Sequence, residues 1–207
     1  MIKVTLIGDS IRQQYQNRVE ELLGKDFEVF SPSENCRFSK YIYRGLFDWS
    51  SSMSGSRIVH WNTGHWDICD LFGHGPFTPE GEFVENINKI MDILEGRYEI
   101  IIFSTTTPVT DNNRYNSNDV IKRYNDIAVS ILQKRGAMIL DLNTPLYPER
   151  DRYISTDTIH LSYEGIELCA TMIAEKIKEA ANSLKGKDAV TTDRRSGTDE
   201  GAPVLID

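Results

Sequence analysis

The sequence predicts an α/β fold, a three-layer α/β/α sandwich built on a five-stranded parallel sheet. Three observations lead there. Short apolar runs alternate with longer segments whose apolar residues fall at helical spacing. One run, residues 98–103, is almost wholly apolar, as a central strand covered on both faces requires. The chain has 207 residues and is 40% hydrophobic, enough for one sizeable core.

The elements follow in order. Residues 2–7 read as the first strand, and Val19, Leu22 and Leu23 mark one face of a helix behind it. Residues 27–30 form a second short strand. A helix over 39–49 carries Tyr43, Leu46 and Phe47 on one side. Residues 57–61 are the third strand, with Ile58 and Val59 at its centre. Ile87, Ile90, Met91 and Leu94 place a helix over 83–94, ahead of the fourth strand at 98–103. A helix over 118–133 precedes a fifth strand at 137–142. A long last helix spans 163–184, with Ser162 as its N-cap. Strand and helix in repeated alternation give parallel pairing with helices on both faces. Residues 1–184 are thus expected as one domain. Residues 185–207, rich in Lys, Asp, Thr, Gly and Ser, are expected as a disordered polar tail.

The net charge of −8 argues against nucleic acid and anionic membranes as partners, since both attract basic patches. No apolar run approaches the roughly 20 residues of a membrane span. Met1 leads straight into the first strand without a charged leader and apolar segment, which predicts a cytoplasmic protein. Cys36, Cys69 and Cys169 are odd in number and widely spaced, so they are expected as reduced thiols.

In a parallel sheet, chemistry gathers outside the carboxyl ends of the strands. Three segments there carry it. Gly8-Asp9-Ser10 follows the first strand and opens a helix, whose positive end favours a developing oxyanion. Asp157-Thr158-Ile159-His160 lies just before the last helix. A carboxylate three residues ahead of an imidazole can hold one ring nitrogen and leave the other for a serine. The stretch 59–67 leaves the third strand with Asn62, whose amide can donate to an oxyanion. Read singly, each has a plainer explanation: a helix cap, a surface turn, an Asn in a loop. Their common position at one sheet edge favours the catalytic reading.

These motifs resemble the SGNH (GDSL-type) hydrolase family over residues 1–182. Gly8-Asp9-Ser10 matches its N-terminal Gly-Asp-Ser. Asn62 matches its Asn after the third strand, and Asp157 to His160 matches its Asp-x-x-His. The resemblance implies a flavodoxin-like fold and ester hydrolysis with no metal or other cofactor. It makes Ser10 the nucleophile, His160 the base and Asp157 its orienter, with the Ser10 N–H and the Asn62 amide as oxyanion donors. The family's glycine in the loop after the second strand is missing from Ser31 to Ser39, so a main-chain N–H at Arg37 or a neighbour takes that place. Asn62-Thr63-Gly64 also departs from the commoner Gly-x-Asn-Asp and resembles a bacterial subgroup linked to carbohydrate esters.

Asp9, Trp61, His65, Trp66 and Arg114 are expected to contact substrate, with Phe72, Phe77, Arg12 and Arg37 around them. The expected substrate is a small acyl ester, acetyl above all, on a carbohydrate or small molecule. Three other readings compete. One is a non-catalytic flavodoxin-like binding domain. Another is an acyltransferase with the same triad. The third is a metallohydrolase using His60, His65, Asp67, Asp70 and His74, whose spacing matches no zinc motif. The sequence sets no oligomeric state.

Overall fold

The computed structural model describes the backbone of residues 1–196 and the side chains of residues 1–185. Five strands form its sheet: β1 (Ile2–Ile7), β2 (Phe27–Phe30), β3 (Ile58–Trp61), β4 (Ile100–Ser104) and β5 (Met138–Leu140). All pair in parallel, in the order β2-β1-β3-β4-β5, with Ile2 beside Phe27, Ile7 beside Trp61 and Phe103 beside Ile139.

The helices are α1 (Ser10–Leu23), α2 (Ser39–Asp48), α3 (His65–Ile68), α4 (Glu80–Glu95), α5 (Asn118–Lys134), α6 (Asn143–Leu146), α7 (Arg150–Tyr153) and α8 (Tyr163–Ser196). Alternation along the strands divides the core in two. Val4, Leu6, Ile58 and Ile102 pack with Tyr15 and Val19 of α1 and with Ile173 and Ile177 of α8. Ile7, Val59, Trp61 and Phe103 pack with Leu46 of α2, Ile87 of α4 and Tyr124 of α5. This is the expected α/β/α sandwich.

Differences from the sequence reading are local. The fifth strand stops at Leu140, short of residue 142, because Asp141 turns the chain: its Oδ1 accepts from the N–H groups of Asn143 and Thr144. The short helices α3, α6 and α7 lie in stretches too brief to show a period. Helix α8 continues past Leu184 to Ser196. The rest of the expected tail, residues 197–207, lies outside the described residues. No described helix is long and apolar enough to cross a membrane.

Candidate active site

Ser10 is the first residue of α1, directly after the turn that leaves β1. Its N–H therefore has no partner inside the helix, and it sits at the positive end of the helix dipole. Asp9 is the N-cap: its Oδ1 accepts from Ile11 N–H at 3.0 Å. Gly8 is required by a close approach, since a Cβ there would lie 2.0 Å from Asn62 Oδ1.

The 155–162 turn delivers His160 to that serine. His160 Nε2 stands 2.8 Å from Ser10 Oγ, and Nδ1 stands 2.7 Å from Asp157 Oδ2. Asp157 Oδ1 accepts from Ser155 Oγ and from the N–H groups of Ile159 and His160. Partial burial works against its charge, but these hydrogen bonds outweigh it and hold the carboxyl well below its ordinary range. An ionised Asp157 fixes the proton on Nδ1, which leaves Nε2 as the acceptor facing Ser10. Three hydroxyl, imidazole and carboxylate groups, separated by up to 150 positions in the chain, thus form one hydrogen-bonded line.

Two further contacts hold the imidazole turn. The Gln14 side chain on α1 accepts from Leu161 N–H at 2.9 Å and donates to Leu161 O at 3.3 Å. Ile154 and Leu161 form an antiparallel bridge, closed by Ser155 N–H to His160 O at 2.7 Å.

Asn62 is fixed at both ends of its amide. Tyr15 OH donates to Oδ1 at 3.1 Å, and Nδ2 donates to Asp9 Oδ1 at 3.0 Å. One N–H of the amide is thereby used, and the second remains for another acceptor. Arg37 takes φ +51, the left-handed conformation that a glycine would adopt freely. The backbone N–H groups near it have partners already. Cys36 N–H donates to Gly8 O at 3.1 Å, and Arg37 N–H donates to Asn35 Oδ1 at 2.8 Å.

A cavity of about 680 Å³ opens beside Ser10 and His160. Trp66, Leu71, Arg114, Tyr115 and Asn35 are among its walls. His65 also lines it, but its ring is committed: Nε2 pairs with Thr107 Oγ1 and Nδ1 with Asn116 Nδ2. Burial, aided by the nearby His160, pushes the His65 imidazole down to about 3, so it stays neutral.

Three expected contacts are corrected. Trp61 is wholly buried, because it shares the β3 face of Val59 and packs edge-on against Phe103 in the core. Asp9 is also fully buried and serves Asn62 and the helix start, out of reach of substrate. Arg12 is 0% exposed and binds main chain, namely Gly8 O, Pro32 O at 2.8 Å and Glu34 O at 2.6 Å. Four of the five groups weighed as metal ligands are engaged with separate partners. His60 pairs with Ser104, His65 with Thr107, and Asp67 with Ser39 and Thr63; Asp70 accepts from the N–H groups of Gly73 and His74. Among the described residues no three His, Cys, Asp or Glu gather as a metal cage. Gln14, Tyr15 and the Arg12 loop contacts carried no motif in the sequence and emerge only from the fold.

No family model matches the chain. It is 32% identical over 123 residues to the GDSL esterase/lipase CPRD49 of Arabidopsis thaliana, covering 52% of this chain and 48% of that protein. It is 27% identical over 163 residues to the GDSL esterase/lipase WDL1 of Oryza sativa subsp. japonica, covering 70% and 62%. The chain thus spans about half to three fifths of the length of these curated relatives. Among solved structures, a lipase/acylhydrolase from Enterococcus faecalis superposes with a TM-score of 0.73 at 21% identity, over 87% of this chain and 97% of that one. The acetyl xylan esterase AlAXEase superposes at 0.72 and 19% identity, over 85% and 100%. At these identities the superpositions speak for the fold. In sequence, the chain is similar to two GDSL esterases/lipases, the family whose motifs Gly8-Asp9-Ser10 and Asp157 to His160 resemble.

Proposed function

We propose that this protein is a serine esterase that removes a small acyl group, acetyl above all, from a carbohydrate. The observation that carries the proposal is the hydrogen-bonded line from Ser10 Oγ through His160 to Asp157. In this reading Ser10 Oγ attacks the ester carbonyl carbon and its proton passes to His160 Nε2. Asp157 stabilises the imidazolium. The Ser10 N–H and the free N–H of Asn62 receive the oxyanion, and Arg37 N–H joins them when the substrate oxygen displaces Asn35 Oδ1. The ester C–O bond then breaks, and the departing alkoxide takes the proton from His160. Water repeats the sequence: its proton goes to His160, its oxygen bonds the acyl carbon, and Ser10 leaves with the proton returned. No cofactor enters any step.

The sugar assignment rests on the chemistry of the cavity wall. Trp66 and Tyr115 are 40% and 45% exposed and offer flat faces for C–H stacking. Asn112 and Arg114 beside them offer hydrogen-bond donors for hydroxyls. The test pairs p-nitrophenyl acetate and an acetylated xylo-oligosaccharide with the native protein and Ser10→Ala, alongside a fluorophosphonate probe. Turnover and covalent labelling in the native protein, both lost in Ser10→Ala, are expected. Equal turnover by Ser10→Ala sinks the triad. Turnover of lipid or thioester substrates with the sugar ester untouched sinks the substrate assignment.

A further inference from the structure

One of the two residues between the base and its orienter is under backbone strain. Thr158 has φ +77, a left-handed conformation that a β-branched residue adopts only when its surroundings impose it. Such strain costs on the order of 1–3 kcal/mol. Thr158 N–H donates to Ser155 O at 2.9 Å within its own turn, and the loop between β4 and α5 supplies the remaining partners. Asn113 Nδ2 donates to Thr158 Oγ1 at 2.8 Å and also approaches Thr158 O at 3.4 Å. Thr110 N–H donates to the same carbonyl at 3.1 Å.

The other end of the Asn113 amide reaches the opposite side of the site. Its Oδ1 accepts from Tyr115 N–H at 3.0 Å and from Asn116 N–H at 2.7 Å. Asn116 Nδ2 in turn meets both Nδ1 and the carbonyl of His65, each at 3.2 Å. His65 begins α3, three positions after Asn62. The Asn113 and Asn116 side chains together therefore tie the turn that carries His160 to the segment that carries Asn62.

Resting on the esterase reading above, we propose that Asn113 is a positioning residue: it holds Thr158 in its left-handed conformation and so fixes His160 relative to the oxyanion-binding Asn62. It acts through Thr158 and does not touch the reacting atoms. Losing it lets residue 158 relax toward negative φ, which swings the imidazole away from Ser10 Oγ.

The test is a kinetic cycle with p-nitrophenyl acetate on the full chain. Asn113→Ala is expected to lower kcat about 10- to 100-fold, with little change in KM, as displacements of about 1 Å do. Glycine takes the left-handed conformation without steric cost. Adding Thr158→Gly to Asn113→Ala is therefore expected to restore most of the lost kcat. If Asn113→Ala fails to fold by circular dichroism, Asn113→Asp replaces it. That variant keeps the acceptor for Tyr115 and Asn116, sets a carboxylate oxygen against the Thr158 carbonyl in place of a donor, and carries the same expectation. The proposal is overturned if the Asn113 variant raises KM with kcat intact, if its kcat equals the native value, or if Thr158→Gly gives no rescue. A native protein that neither turns over the ester nor labels at Ser10 overturns the esterase reading and this proposal with it. An active native protein with an unaffected Asn113 variant overturns this proposal alone.

Discussion

The side-chain amide of Gln14 exchanges two hydrogen bonds with the backbone of Leu161, the residue directly after His160. Gln14 lies one turn along α1 from Ser10, so the helix that presents the hydroxyl also grips the turn that presents the imidazole. Gln14→Ala is expected to lower kcat on an acetyl ester by about tenfold or more while the helix content by circular dichroism is unchanged. Unaltered kcat would show that the Ile154–Leu161 bridge suffices by itself.

Asn62→Ala tests the oxyanion role. Removing one such donor costs about 10²–10³ in kcat. The expected variant is folded, labels slowly with fluorophosphonate and has kcat reduced to that extent. Near-native turnover rules Asn62 out as a donor.

Gly8→Ala tests the close packing under that amide. The added Cβ would lie 2.0 Å from Asn62 Oδ1 and 2.8 Å from Arg12 Cβ, so both must shift. Overpacking of this kind costs about 1–3 kcal/mol. Urea titration is expected to show a loss of that size, and kinetics a fall in kcat comparable to that of Asn62→Ala. A variant with native midpoint and native kcat contradicts the packing described.

Asp9 gives a pH dependence of stability. Burial raises its carboxyl to about 6 from an ordinary 3.8, against the pull of hydrogen bonds from Asn62 and Ile11 and the charge of Arg12. Its Oδ2 is buried without a hydrogen-bond partner. A raised carboxyl binds its proton more tightly folded than unfolded, so stability falls as pH climbs from about 4 to about 6 and the loss persists above. The difference between 3.8 and about 6 is worth about 3 kcal/mol. Asp9→Asn does not titrate. Its stability relative to the native protein is therefore expected to be more favourable at pH 7.5 than at pH 4, by up to about 3 kcal/mol. Denaturant unfolding at both pH values measures this; an equal difference at the two sinks the assignment.

The sheet was legible because buried parallel strands leave apolar runs, and alternating helices leave a 3.6-residue period. The same logic located Ser10 and Asn62 at one edge, since each follows a strand end; His160, separated from β5 by α6 and α7, was legible through its Asp-x-x-His spacing. Trp61 shows where it stops. One residue before Asn62, it looked like part of the rim, yet strand alternation turns it to the core beside Val59. Arg12 looked like a donor for substrate. Its burial follows from the loop at Pro32 and Glu34 folding over α1, which no local pattern announces. Gln14 and Asn113 were invisible for a related reason. Gln14 acts on main-chain atoms and Asn113 on Thr158, both far away in sequence, and such partners leave no local residue-type signature.

Helices α1 and α8 pack on each other across the same face of the sheet, through Tyr15 and Val19 on one and the small residues Ala170 and Ala174 on the other. One begins with the hydroxyl and the other follows the imidazole by three positions. The calliper that spaces the hydroxyl from the imidazole is therefore a buried seam of small alkyl side chains and the Tyr15 ring, with only the Tyr15 hydroxyl reaching the site, at Asn62. Enlarging Ala170 or Ala174 pries its jaws apart, so an enzyme can lose its chemistry through a substitution that no inspection of the pocket would flag.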